Sequence, residues 1–136
     1  MKKLLLAFII LTGLIFYSSG CSTSPEYAAD WQELQNQFQP MINMMEKGLY
    51  TDFINMYVDP RLVSRKDGAS AMLTEFNMDK REQLLRALKT AKNMQPTINT
   101  VQKIATFDNI TFPYPLRFQK FGDRWYILDN QAFENN

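Results

Sequence analysis

LRFQKFGDRWYILD, residues 116–129, carries the clearest structural instruction in the chain. Apolar and polar residues alternate on both sides of Gly122-Asp123, a two-residue hairpin signal. A turn closing there pairs Phe121 with Arg124, Lys120 with Trp125, Gln119 with Tyr126 and Phe118 with Ile127. Side chains alternate between the two faces of a strand. One face therefore carries Leu116, Phe118, Trp125 and Ile127, and needs an apolar cover. The other carries Arg117, Gln119, Arg124 and Tyr126, a polar-aromatic contact face left to solvent or a partner.

Just upstream, Thr97 to Phe107 follows Pro96 and is rich in Thr, Ile and Val, which predicts one strand or two short ones. Asp108-Asn109 reads as a turn and Pro113-Tyr114-Pro115 as a rigid connector. The cover for the hairpin must come from the N-terminal half, where the apolar period is helical. Between Glu26 and Lys47, Tyr27, Trp31, Leu34, Phe38, Met41 and Met45 step by three and four. Asp30, Gln32, Glu33, Gln35, Asn36, Gln37 and Gln39 lie between them and read as a solvated face. Pro40 removes a backbone donor and predicts a kink near Gln39, and Gly48 reads as the stop. Leu49–Val58 reads as a second helix, ended by Asp59-Pro60. Arg61 to Asn77 is less decisive, with a turn at Asp67-Gly68 and a short helix over Ala69–Phe76. A further helix carries Leu84, Leu85, Leu88 and Ala91 inward, with Asp79 and Glu82 spaced as a capping box. Helices first and then a small antiparallel sheet define an α+β domain over residues 26–130, followed by a flexible tail at 131–136.

The N-terminus carries a different message. Met1-Lys2-Lys3 precedes an apolar run from Leu4 to Phe16, the layout of a secretory signal peptide over residues 1–20. The run is too short for the roughly 20 apolar residues that span a bilayer. Ser19-Gly20-Cys21 resembles the bacterial lipobox, with Ser18 where leucine is usual. The resemblance implies a lipoprotein: cleavage after Gly20, diacylglyceryl on the Cys21 thiol and acylation, typically by palmitate, of the new amino group. One myristoyl-sized chain holds a protein marginally, whereas two or more anchor it stably. Residues 21–25 then form a short lipidated tether. Ser22 after the cysteine implies the periplasmic face of the outer membrane if the host is Gram-negative.

Removing Lys2 and Lys3 from the 15 basic residues leaves 13 against 14 acidic ones, a formal net charge of −1. Nothing in that balance calls for a nucleic-acid partner. Cys21 is the only cysteine and there is no histidine. Lipidation of that thiol excludes disulfides, and the missing imidazole excludes His-based catalysis and His-ligated zinc. The composition calls for no cofactor.

With the hairpin, the stretch KGLYTDFINMYVDP (residues 47–60) and the kinked first helix make residues 26–130 look like small NTF2-like (cystatin-like) domains. Uncharacterised bacterial lipoproteins carry domains of this kind. That resemblance implies a pocket for a small apolar ligand, which Trp31, Phe38, Tyr57 and Phe118 would line. In related isomerases it implies a buried carboxylate base and an oxyanion donor, for which Asp30, Tyr27 or Tyr57 could be nominated. Fold alone does not carry that activity, so no catalytic residue is assigned. Met41, Met44 and Met45 could offer thioethers to Cu(I), but helical spacing places Met41 and Met45 in the core; no metal ligand is assigned. Arg81, Arg86, Lys89 and Lys92, with Arg61, Arg65 and Lys66, read as a solvated basic face within reach of anionic headgroups or peptidoglycan. The sequence thus describes a membrane-anchored, non-catalytic binding or scaffolding domain of the cell envelope. A pocket domain for a small apolar ligand is the alternative.

Overall fold

The structure, a computed structural model, describes residues 24–109, 111–128 and 133. The expected leader, the lipobox and most of the tail lie outside them. Five helices come first: α1 (Pro25–Glu46), α2 (Tyr50–Tyr57), α3 (Pro60–Arg65), α4 (Ala69–Glu75) and α5 (Met78–Ala91). Strands β1 (Thr97–Asn99), β2 (Ile104–Phe107), β3 (Leu116–Phe121) and β4 (Arg124–Ile127) follow. They form one antiparallel sheet in the order β1-β2-β3-β4, so the domain is α+β, as its pattern predicts.

Helix α1 begins where Ser24 accepts a hydrogen bond from the Tyr27 amide at 3.1 Å and Pro25 occupies the first turn. The helix therefore starts inside the stretch expected as a tether. It runs through Pro40 as one element. Pro40 and Asn36 both lie on the exposed side, where water can take the carbonyl that the missing donor frees. Beyond Lys47, Gly48 takes φ +72° and the Leu49 amide reaches back to the Met44 carbonyl at 3.0 Å. This six-residue closure is a Schellman motif, and glycine supplies the left-handed turn it needs. Helix α5 starts earlier than the Asp79/Glu82 spacing predicts. Asn77 is the cap, accepting from the Lys80 amide at 3.0 Å, and Asp79 sits in the first turn. Helix α3, six residues capped by Asp59, is too short for a periodic signal and is new to the structure.

The hairpin register matches the sequence reading at every pair from Phe118↔Ile127 to Phe121↔Arg124. Of the two turn residues, Gly122 has positive φ (+62°) and Asp123 does not, the mark of a type II′ turn. Leu116, Phe118, Trp125 and Ile127 are buried under the helices. Phe38 of α1 sits among Trp31, Phe107 and Phe118 with ring centroids 5.5–6.3 Å apart. Tyr57 lies 5.8 Å from Phe53. Phe38 and Phe118 are fully buried; of the side chains expected around a ligand pocket, Trp31 and Phe118 pack on Phe38, and Tyr57 packs on Phe53. Phe133, within the expected flexible tail, is buried 4.9 Å from Phe76.

The largest departure from the sequence reading concerns the polar flank of α1. The Tyr27 hydroxyl donates to the Pro96 carbonyl at the start of β1 (2.6 Å). Asp30 accepts from Lys103 at the entry to β2 (2.8 Å), and Glu33 accepts from Lys120 of β3. Gln37 both donates to and accepts from the Trp125 main chain in β4, at 2.9 Å each way. Four polar residues along one helix thus meet four successive strands. From Tyr27 to Gln37 the helix rises about 15 Å, and three strand spacings come to about 14 Å, so the helix crosses the sheet at matching pitch. Asp30 is only 4% exposed. Asp30 and Gln37 thus belong to a seam, while Gln32, Glu33, Gln35, Asn36 and Gln39 are exposed, as the sequence predicts.

The same bonds manage the sheet edge. In β4, Trp125 and Ile127 direct their main-chain groups away from β3. Gln37 takes Trp125, and the Asp59 amide donates to the Ile127 carbonyl at 2.9 Å, with Val58 bridging to Ile127. An open row of amides and carbonyls would invite pairing with another chain; here α1 and the α2–α3 junction occupy it.

Candidate functional site

Strand pairing assigns Arg117, Gln119, Arg124 and Tyr126 to the face of the sheet opposite the core, as the hairpin pattern predicts. Phe121 joins them, with its ring 5.9 Å from Tyr126. None of the partly buried members of this face is a loose surface group. Asp59, 4% exposed, caps α3 and holds the Arg61 guanidinium through both carboxylate oxygens at 2.9–3.2 Å. Arg61 then reaches over the face, donating to Gln119 Oε1 at 3.0 Å and stacking 4.6 Å from the Phe121 ring. The hydrogen bond to Asp59 raises the Arg61 pKa above its ordinary value, and outweighs desolvation acting the other way.

Arg124 leaves the face at the sheet edge. It donates to the Met56 carbonyl at 3.3 Å and lies 5.8 Å over Tyr57, where the carbonyl end of α2 attracts a cation. Gln119 also donates to the Gln102 carbonyl at 3.4 Å. The result is a pre-ordered surface of arginine, glutamine and aromatic side chains contributed by α3, β3 and β4. Three guanidinium groups, Arg61, Arg117 and Arg124, belong to it or its edge, and Asp59 is buried beneath one of them. The sequence reading identified the strand residues but missed Arg61, whose role depends on a six-residue helix 58 positions away from Gln119.

The other nominated residues are dispersed. Asp30 is engaged by Lys103, Tyr27 by Pro96, and Tyr57 packs between Phe53 and Arg124. Each has its own partner among the described residues. Met41 and Met45 are buried in the core and Met44 is half-buried beside it. The basic residues expected as one solvated face are divided among separate tasks. Lys66 pairs with Glu75 at 3.3 Å and Lys89 with Glu46 at 2.6 Å, while Lys92 donates to Gln39. Arg81 donates to the Phe76 carbonyl at 2.6 Å and stacks 4.2 Å from Tyr50, fastening the α4–α5 corner.

Two groups on the α1 seam give it an alkaline limit. Burial raises the Tyr27 pKa above its ordinary 10.0. Lys103 is raised above 10.5, first by its hydrogen bond to Asp30, with desolvation opposing. Both groups stay protonated in the fold after the unfolded chain would release its protons. Their contribution is complete below those ordinary values and is lost as pH climbs through the raised ones. Stability is expected to fall on that alkaline limb, and Tyr27→Phe should flatten it in denaturant titrations run at increasing pH. An unchanged slope in Tyr27→Phe would remove Tyr27 from the account.

Compared with protein-family models, curated proteins and solved structures, the chain matches none.

Proposed function

We propose that this chain is a lipoprotein, held at a membrane through Cys21, whose domain binds or scaffolds a protein of the cell envelope with the outer face of its sheet. The observation that carries the binding part is the pre-ordering of that face. Arg61 is fixed by Asp59, Gln119 by Arg61, and Phe121 by Arg61 and Tyr126. Side chains already held in place lose less freedom on binding, and aromatic and arginine residues are enriched at interface cores. The arginine and aromatic side chains of the face suit a protein surface that offers carboxylates and carbonyls. The anchoring part is supported by the leader and the lipobox-like Ser19-Gly20-Cys21. Ring-on-ring packing of Phe38, Phe107 and Phe118 favours this reading over a ligand pocket beneath the sheet.

The face is tested by placing a benzophenone side chain at Tyr126 and illuminating the full chain in its own envelope. A discrete protein adduct is expected, and Arg117→Glu in the same chain should abolish it. The control position is Val101, 91% exposed in the turn between β1 and β2. The same adducts from Val101, or an adduct at Tyr126 indifferent to Arg117→Glu, would sink the assignment.

A further inference from the structure

A groove of about 450 Å³ runs between α5 and the connector from β2 to β3, within the range of about 300–1,000 Å³ typical of small-ligand sites. Its floor is apolar and built. Phe112 packs against the core, with its amide donating to the Asn109 carbonyl at 2.9 Å, and Ala87 and Pro113 flank it. Its rim is cationic. Arg86 and Lys89 are one helical turn apart and both line the groove. Lys89 is paired with Glu46, whereas Arg86 is exposed and pairs with no carboxylate among the described residues.

An apolar trough ending at an uncompensated guanidinium is complementary to a molecule with a hydrocarbon tail and a carboxylate head. The planar fork of arginine meets a carboxylate through two parallel hydrogen bonds. We propose that this groove binds a free fatty acid, with the carboxylate on Arg86 beside Lys89 and the chain lying along Ala87, Phe112 and Pro113. The site is separate from the sheet face and does not depend on the function proposed for it.

The test uses the full chain in phosphatidylcholine vesicles with a photoactivatable laurate. Label is expected in peptides covering residues 83–90 and 111–113, displaced by excess laurate and not by dodecanol. Arg86→Glu should lower labelling by about tenfold, the loss of one charge-assisted contact, and Arg86→Lys, which keeps the charge and loses the fork, should fall between wild type and Arg86→Glu. Ala87→Trp should fill the trough and remove the label, with its melting curve recorded alongside to separate blocking from unfolding. Equal labelling of wild type and a folded Arg86→Glu, displacement by dodecanol as effective as by laurate, or label spread over the surface would each overturn the assignment.

Discussion

Replacing Phe38 by alanine is expected to cost about 3–5 kcal/mol, the range for removing a buried aromatic ring from a core. Phe38 is fully buried on α1 and meets Phe107 at 5.5 Å and 90° and Phe118 at 5.6 Å and 75°. Trp31 adds a third edge contact. These rings join α1 to the two central strands, so the cavity left behind opens at the junction of the two layers. Against a total of about 5–15 kcal/mol for a domain, the loss takes a large share of the stability. Urea unfolding followed by fluorescence of Trp31 and Trp125 measures it. A midpoint close to that of wild type would mean that the layers are joined by something other than this aromatic cluster.

Trp125 yields the second large effect, with a contrast inside it. Its ring is fully buried, but its Nε1–H has no hydrogen-bond partner among the described residues. An unpaired buried donor costs about 1–3 kcal/mol. Trp125→Ala should lose about 3–5 kcal/mol through the cavity it leaves. Trp125→Phe removes the orphan donor together with part of the ring, so the two changes offset and the loss should be under half that of alanine. Equal losses in the two variants would show that the indole nitrogen is satisfied, contrary to the geometry. Gln37 bonds the Trp125 main chain and not its ring, so the edge clamp survives in both variants.

The contrast between what could and could not be read from the sequence follows from the range of each interaction. The hairpin register was legible because a period of two and a two-residue turn at Gly122 leave one alignment that buries Trp125 and Ile127 together. The apolar stripe of α1 was legible for the same local reason. The polar flank of that helix was not, because the partners of Asp30, Glu33 and Gln37 lie 73, 87 and 88 residues away. Helical periodicity reports which face is polar, and says nothing about whether a distant strand will cross it. Asp59-Pro60 was legible as the end of α2, but its second task, aiming Arg61 across the sheet, needs the fold assembled. The outer face of the sheet was therefore legible in its strand residues, and Arg61, which reaches over it, was not. Phe133 was out of reach for a different reason: a lone aromatic among polar residues has no periodicity to mark it as buried.

The proposed function joins a domain with a pre-ordered face of arginine and aromatic side chains to a lipid tether at Cys21, three residues ahead of the first helix cap. Everything about where that face acts depends on the tether. The most direct measurement is metabolic labelling with palmitate of the full chain and its Cys21→Ser variant, followed by membrane fractionation. Label on the wild type, none on the variant, and release of the variant from the membrane fraction are the predicted results. Equal labelling of the two chains, or no label on either, would contradict the account.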